Sequence, residues 1–268
     1  MKRIPSQIRA LQRLLDTGMR IDMIAEPLHS VDADAQAVEI AIVLEEHGFN
    51  ECGVKRDGTV NEIVSRASLN KGTVGDHARP VPRERIVDAA APLWSSLQPI
   101  TQHGSLFVSG RHGLEGIATV ADLNKQPARL LMFGIVSMHE MVLSALIGSH
   151  FTDDTWRAHL DDKRVEKAEE FQQQRERKNQ QLKLVDCLQL CDKSCICLEI
   201  PGISKAWDLG KKKAERLFRR LQDIRDNLAH AHSAVVRGSW RKTIEALQQG
   251  HAILDKSLEL LPKARPTT

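Results

Sequence analysis

The sequence predicts an α/β tandem repeat followed by an all-α bundle of the four-helix type. Three observations carry this expectation. Sliding the chain on itself by 54 residues lays Val54 on Val108, Ile63 on Ile117, Ser65 on Thr119, Ala67 on Ala121 and Leu69 on Leu123. Short strand-like runs separated by turn residues fill residues 20–126. From residue 128 onward, apolar residues recur at spacings of three and four instead.

The chain divides accordingly into an N-terminal helix at 1–19, a repeat pair at 20–126 (about 20–72 and 74–126), a helical domain at 128–262 and a disordered tail at 263–268. Ile4, Ile8, Leu11, Leu14 and Leu15 give the first helix its apolar side. Within the first repeat, residues 35–46 read as helix, 51–55 as strand, Asp57-Gly58 as a turn and 60–64 as a second strand. Each unit is thus a helix, a strand, a hairpin turn and a strand. Two such units bury sheet faces that neither covers alone.

Residues 128–147 form a nearly continuous apolar run, long enough to span a bilayer. Arg129, His139 and Glu140 argue for a buried bundle helix instead, in which Glu140 needs a cation from a neighbouring helix. Residues 164–181 read as a solvated, charge-laced helix, and residues 182–190 restore an apolar face. Cys187, Cys191, Cys195 and Cys197 follow no standard zinc spacing, so no metal is assigned to them. Pro201-Gly202 breaks the chain before a basic helix, and a last amphipathic helix at 240–261 stops at Pro262.

The basic helix, residues 211–235, combines an apolar stripe (Ala214, Leu217, Phe218, Leu221, Ile224, Leu228) with Lys211, Lys212, Lys213, Arg216, Arg219 and Arg220 on its other face. Such a face suits an anionic polymer, and RNA is the expected partner. The net charge of +3 over 268 residues is too small to imply this alone; the placement of the charge carries it. Aromatic residues are 4% and Tyr is absent, which disfavours base stacking as the mode of binding. Five cysteines without an apolar leader after Met1 point to a cytoplasmic protein rather than a secreted disulfide scaffold.

The run Gly116-Ile-Ala-Thr119-Val-Ala-Asp122 resembles the strand-to-helix junction of CBS domains, and the resemblance spans roughly residues 20–126. It implies a cleft for an adenine nucleotide (AMP, ADP, ATP or a relative), with Thr119 at phosphate, Asp122 at the ribose hydroxyls and Gly116 beside them. A carboxylate accepts two hydroxyl protons, and a helix start offers amides to phosphate. Thr119 and Asp122 are equally what any helix start selects as caps. In the first copy Glu62 replaces the glycine and Ser68 the aspartate, leaving at most one competent site.

Arg225-Asp226-Asn227-Leu-Ala-His230 resembles the Arg-x4-His signature of the HEPN superfamily, whose members are often dimeric, metal-independent endoribonucleases. That resemblance implies a catalytic Arg225 and His230, with Asp226 or Asn227 orienting one of them; apart from it, His232, which lies seven residues from Arg225 and so nearly on its side of the helix, and Glu140 are further candidates for support. Imidazole moves a proton near neutral pH, and a guanidinium neutralises charge on a phosphorane-like transition state. Residues five apart differ by about 140° on a helix, so the pair needs either an interrupted helix or two protomers. The first expectation is therefore a cytoplasmic, homodimeric, nucleotide-regulated endoribonuclease with no membrane association. The alternative is a non-catalytic, nucleotide-responsive module that binds RNA or protein, and a third reading is a purely structural bundle.

Overall fold

The computed structural model describes residues 4–229 and 239–261. They form two compact units: residues 16–128, and a second unit made of residues 4–15 with 129–229 and 239–261.

The first unit is a duplicated β-α-β-β motif. In one copy, β1 (Glu26–Pro27) and β2 (Ser30–Asp32) lead into α1 (Ala37–Glu46), then β3 (Glu51–Arg56) and β4 (Thr59–Ser65). The other copy runs β5 (Arg79–Pro80), β6 (Ile86–Asp88), α2 (Leu93–His103), β7 (Ser105–Gly110) and β8 (Gly113–Thr119). Both hairpins keep the 54-residue offset read from the sequence, since β3 maps on β7 and β4 on β8. The sheet order is β2-β3-β4-β8-β7-β6. Strands β2 and β6 pair in parallel with β3 and β7 across their helices, the connection that parallel neighbours require.

The two copies exchange their short first strands. Strand β1 pairs with β8 and β5 with β4, so each copy's hairpin is edged by a strand from the other end of the duplication. These short strands lacked a sequence signal, because runs of two or three residues show no periodicity. Glu51 on β3 adds an electrostatic tie by binding Arg85 at 2.6 Å and Arg79 at 3.2 Å. Where β4 and β8 meet in parallel, Val60 stands opposite Gly113. A Cβ at Gly113 would lie 2.4 Å from the Val60 carbonyl oxygen, and its φ is +95°, so this contact requires glycine. One apolar core, including Leu44, Cys52, Val54, Val64 and Leu69, lies under α1; another gathers Val60, Ile63, Phe107 and Leu114.

The second unit is all-α. Its helices are α0 (Ile4–Arg13), α3 (Gln126–His150), α4 (Asp162–Glu176), α5 (Leu190–Leu198), α6 (Ile203–Trp207), α7 (Lys211–Ala229) and α8 (Trp240–Leu260). Helix α0 buries Ile8 and ties to α8 through Gln12, which donates to Asp255 at 2.7 Å. A five-residue π-turn at Leu14–Gly18 then turns Leu15 inward and Leu14 outward. Leu15 sits over Gly134 of α3, where a Cβ would meet Leu15 Cδ1 at 2.6 Å.

Helix α3 is long and apolar enough to cross a membrane, yet 61% of its most apolar window is buried inside the protein. Its core residues include Leu131, Ile135, Val142 and Leu143. Helix α6, a short turn after Gly202, was not foreseen beyond the chain break; it lets Trp207 donate to buried Ser257 at 2.9 Å. The stripe expected on α7 is buried throughout: Ala214, Leu217, Phe218, Leu221, Ile224 and Leu228.

Candidate functional site

At the end of β8, Thr119 and Asp122 meet as the sequence spacing requires. Asp122 Oδ2 accepts from the Thr119 amide at 2.7 Å and from its hydroxyl at 2.8 Å, closing a capping box on the 3-10 turn Val120–Asn124. Its other oxygen pairs with Lys125 at 2.9 Å. Lys125 also donates to the Ile24 carbonyl at 2.7 Å and pairs with Glu26. Burial works against its charge, but the Glu26 and Asp122 carboxylates outweigh that and raise its pKa. The cluster therefore presents a hydroxyl and an ammonium, each within hydrogen-bond reach of one oxygen of the same carboxylate.

Gly116 lies on β8 beneath β1, where a Cβ would approach the Glu26 carbonyl oxygen to 3.2 Å. Its absent side chain thus serves strand packing directly. Lys125 was missed by motif reading although it stands three residues from Asp122; Glu26 and Ile24 reach the cluster only through the fold. In the first copy, Ser68 donates to the Ser65 carbonyl at 2.7 Å, where the second copy has the Asp122 carboxylate.

In the helical unit, a cleft of about 690 Å³ is lined by side chains from α3, α4, α5 and α7, among them Glu140, Lys193, Arg225 and Asp226. Glu140 finds its cation here, since Arg225 Nε lies 3.3 Å from its Oε1. Arg225 also donates to Asp226 at 3.1 Å. Asn227 is half-buried near the end of the described part of α7, while His230 and His232 lie outside the described residues. Arg129 of α3 donates to the Leu228 carbonyl at 3.4 Å, placing a cation at the carbonyl end of α7. The basic residues Lys211, Lys212, Lys213, Arg216, Arg219 and Arg220 are all exposed, and Lys211 pairs with Glu199 at 2.7 Å.

The cysteines sit on or beside α5. Burial raises each of the four thiols, Cys191 to about 11, which disfavours the thiolate needed for attack or for ligation. Among the described residues, no group of three His, Cys, Asp or Glu is disposed to hold a metal ion.

Two reciprocally paired β-α-β-β copies define a CBS-like repeat pair, and the chain couples this α/β unit to an α-helical bundle. No protein-family model matches the chain, and no curated protein does. Among solved structures, it is similar to CBSX2 in complex with AMP (20% identity, 40% of this chain and 93% of that one, TM-score 0.35). It is also similar to the CBS domain of a bacterial CNNM/CorC family Mg2+ transporter in complex with ATP (16%, 44% and 92%, TM-score 0.35). A third is a CBS domain-containing protein of unknown function from Bacillus anthracis (12%, 40% and 91%, TM-score 0.36). At these TM-scores the likeness adds nothing to the repeat geometry itself.

The expectation of a HEPN-type endoribonuclease, a hydrolase centred on Arg225, Asp226, Asn227 and His230, is corrected. Arg225 is already committed to Glu140 and Asp226, and two carboxylates beside it oppose the anionic transition state that a nuclease arginine must stabilise. No histidine among the described residues lines the cleft that holds it. The short motif misled because an ion-paired arginine and a catalytic one are indistinguishable in one dimension.

Proposed function

We propose that the chain is a non-catalytic, nucleotide-responsive RNA-binding module. The repeat pair takes an adenine nucleotide at Thr119, Asp122 and Gly116, and the exposed cations of α7 dock the phosphate backbone of RNA. The observation that carries the reading is the cluster of hydroxyl, carboxylate and ammonium at the end of β8. Asp122 can exchange Lys125 for ribose hydroxyls, and the released ammonium then faces phosphate. The basic face of α7 supports the second half, because it is exposed along its length while the opposite face is buried. A cytoplasmic homodimer off the membrane remains part of the proposal, with the exposed Leu130, Phe133 and Met141 of α3 as its apolar surface.

Calorimetric titration with AMP and with ATP tests the nucleotide site. Asp122→Ala should weaken binding about tenfold or more, because it removes a charged hydrogen-bond acceptor. Thermal melts control for the lost cap, worth about 1 kcal/mol. The reading is overturned if neither nucleotide binds the parent, or if Asp122→Ala binds as tightly.

A further inference from the structure

The carboxylate assigned to ribose already serves three donors of the protein itself. Asp122 Oδ2 accepts from the Thr119 amide at 2.7 Å and from its hydroxyl at 2.8 Å, and Oδ1 pairs with the Lys125 ammonium at 2.9 Å. A carboxylate offers about four acceptor positions, so two ribose hydroxyls fit only when one of these donors leaves. The two Thr119 bonds close the turn that presents Asp122. Lys125 is a third exposed at its side chain and keeps two other acceptors, the Ile24 carbonyl at 2.7 Å and the Glu26 carboxylate. Lys125 is therefore the donor that yields. The exchange is uneven, because hydroxyl dipoles replace a full charge at Asp122 and the ammonium is left with one paired carboxylate where it had two.

We propose that Lys125 makes the site selective for phosphorylated adenosine, holding Asp122 against a bare nucleoside and moving to the phosphate when a nucleotide enters. This rests on the reading of Thr119 and Asp122 as a nucleotide site and assigns the residue that sets its selectivity. The Lys125 ammonium and the Thr119 hydroxyl bind the two oxygens of one carboxylate, so a phosphate at Thr119 lies within a side-chain rotation of the ammonium. Its flexible four-carbon stem permits that rotation. Once the ribose hydroxyls take up Asp122, the remaining anionic partner is Glu26, whose side chain is 60% exposed, and an ion pair so open to solvent holds weakly. A phosphate carrying up to two charges competes with it through a charge-assisted hydrogen bond. Adenosine offers the ammonium nothing in return.

Calorimetric titration of the full chain with adenosine, AMP and ATP tests this through the ratio of affinities, in chelator so that no divalent cation masks the phosphates. The parent should bind AMP about tenfold or more tighter than adenosine, the range of one charged hydrogen bond, and ATP at least as tightly as AMP. Lys125→Met keeps the length of the stem without its charge and should bring AMP and adenosine within about threefold of each other. Lys125→Arg keeps the charge and should preserve the preference for AMP. Glu26→Gln removes the carboxylate that competes for the ammonium and should raise the AMP-to-adenosine ratio several-fold; its exposed position keeps this variant folded even where Lys125→Met melts. A merely structural Lys125 would weaken all three ligands alike. The proposal is overturned if the parent binds adenosine as tightly as AMP, if Lys125→Met keeps the parent's ratio, or if Glu26→Gln lowers it. A parent that binds none of the three overturns the nucleotide site itself, a result distinct from any change of ratio.

Discussion

His139 is the one fully buried imidazole among the described histidines, set edge-on to Phe218 with ring centroids 5.6 Å apart and packed against Gly250. Burial pushes its pKa down to about 4 from an ordinary 6.5, with the His251 ring adding to the shift and a Gly250 backbone contact opposing it. A depressed imidazole binds fewer protons folded than unfolded, so stability is complete above about pH 6.5 and declines as pH falls toward 4. The loss approaches about 3 kcal/mol. Urea denaturation across that window should show it, and His139→Leu should remove most of the dependence. At the same scale the sequence was legible where chemistry is local: Thr119 with Asp122 is a three-residue relation and forms as read. It was illegible for Arg225, whose partner Glu140 lies on another helix and whose motif said nothing about that carboxylate.

Each hairpin of the repeat turns through Asp57-Gly58 or its counterpart Arg111-His112, and its strands are short, largely apolar runs bounded by turn residues in both copies. Their glycines differ in what they tolerate. Gly58 has φ +78° but open space around its missing Cβ, so Gly58→Ala should cost about 1 kcal/mol from backbone strain alone. Gly113→Ala adds a 2.4 Å clash with backbone at the β4–β8 contact and should cost about 2–3 kcal/mol or more. Equilibrium denaturation of the two variants separates the cases, and equal costs would mean that β8 yields freely. Helix α3 makes a related point, because its apolar length fits a membrane span and a bundle core alike. Composition permits both, and in the structure Leu131, Ile135 and Leu143 are buried within the helical unit.

For the molecule as a whole, the proposed RNA surface is a matter of charge placement rather than net charge. Exposed lysines and arginines on α7 predict binding whose affinity falls steeply with salt. Neutralising Lys211, Lys212 and Lys213 to Gln should reduce the slope of log affinity against log salt by up to about 3, one unit for each lost phosphate contact. Fluorescence anisotropy with a labelled single-stranded RNA measures this. Lys211 should contribute least of the three, since Glu199 already holds it at 2.7 Å. An unchanged slope would move the partner from RNA to a protein surface.

The duplication, the hairpins, the buried stripe of α7 and the Thr119–Asp122 cap were all determined by sequence alone, because each rests on spacing within one element or on a repeat of it. Tertiary structure decided the rest. Only the fold brings Glu26 beside Lys125, edges each hairpin with a strand from the other copy, and sets Glu140 against Arg225. The physical reason is that a charge has no fixed role until its nearest counter-charge is known, and that partner stands about a hundred residues away in the first case and 85 in the last.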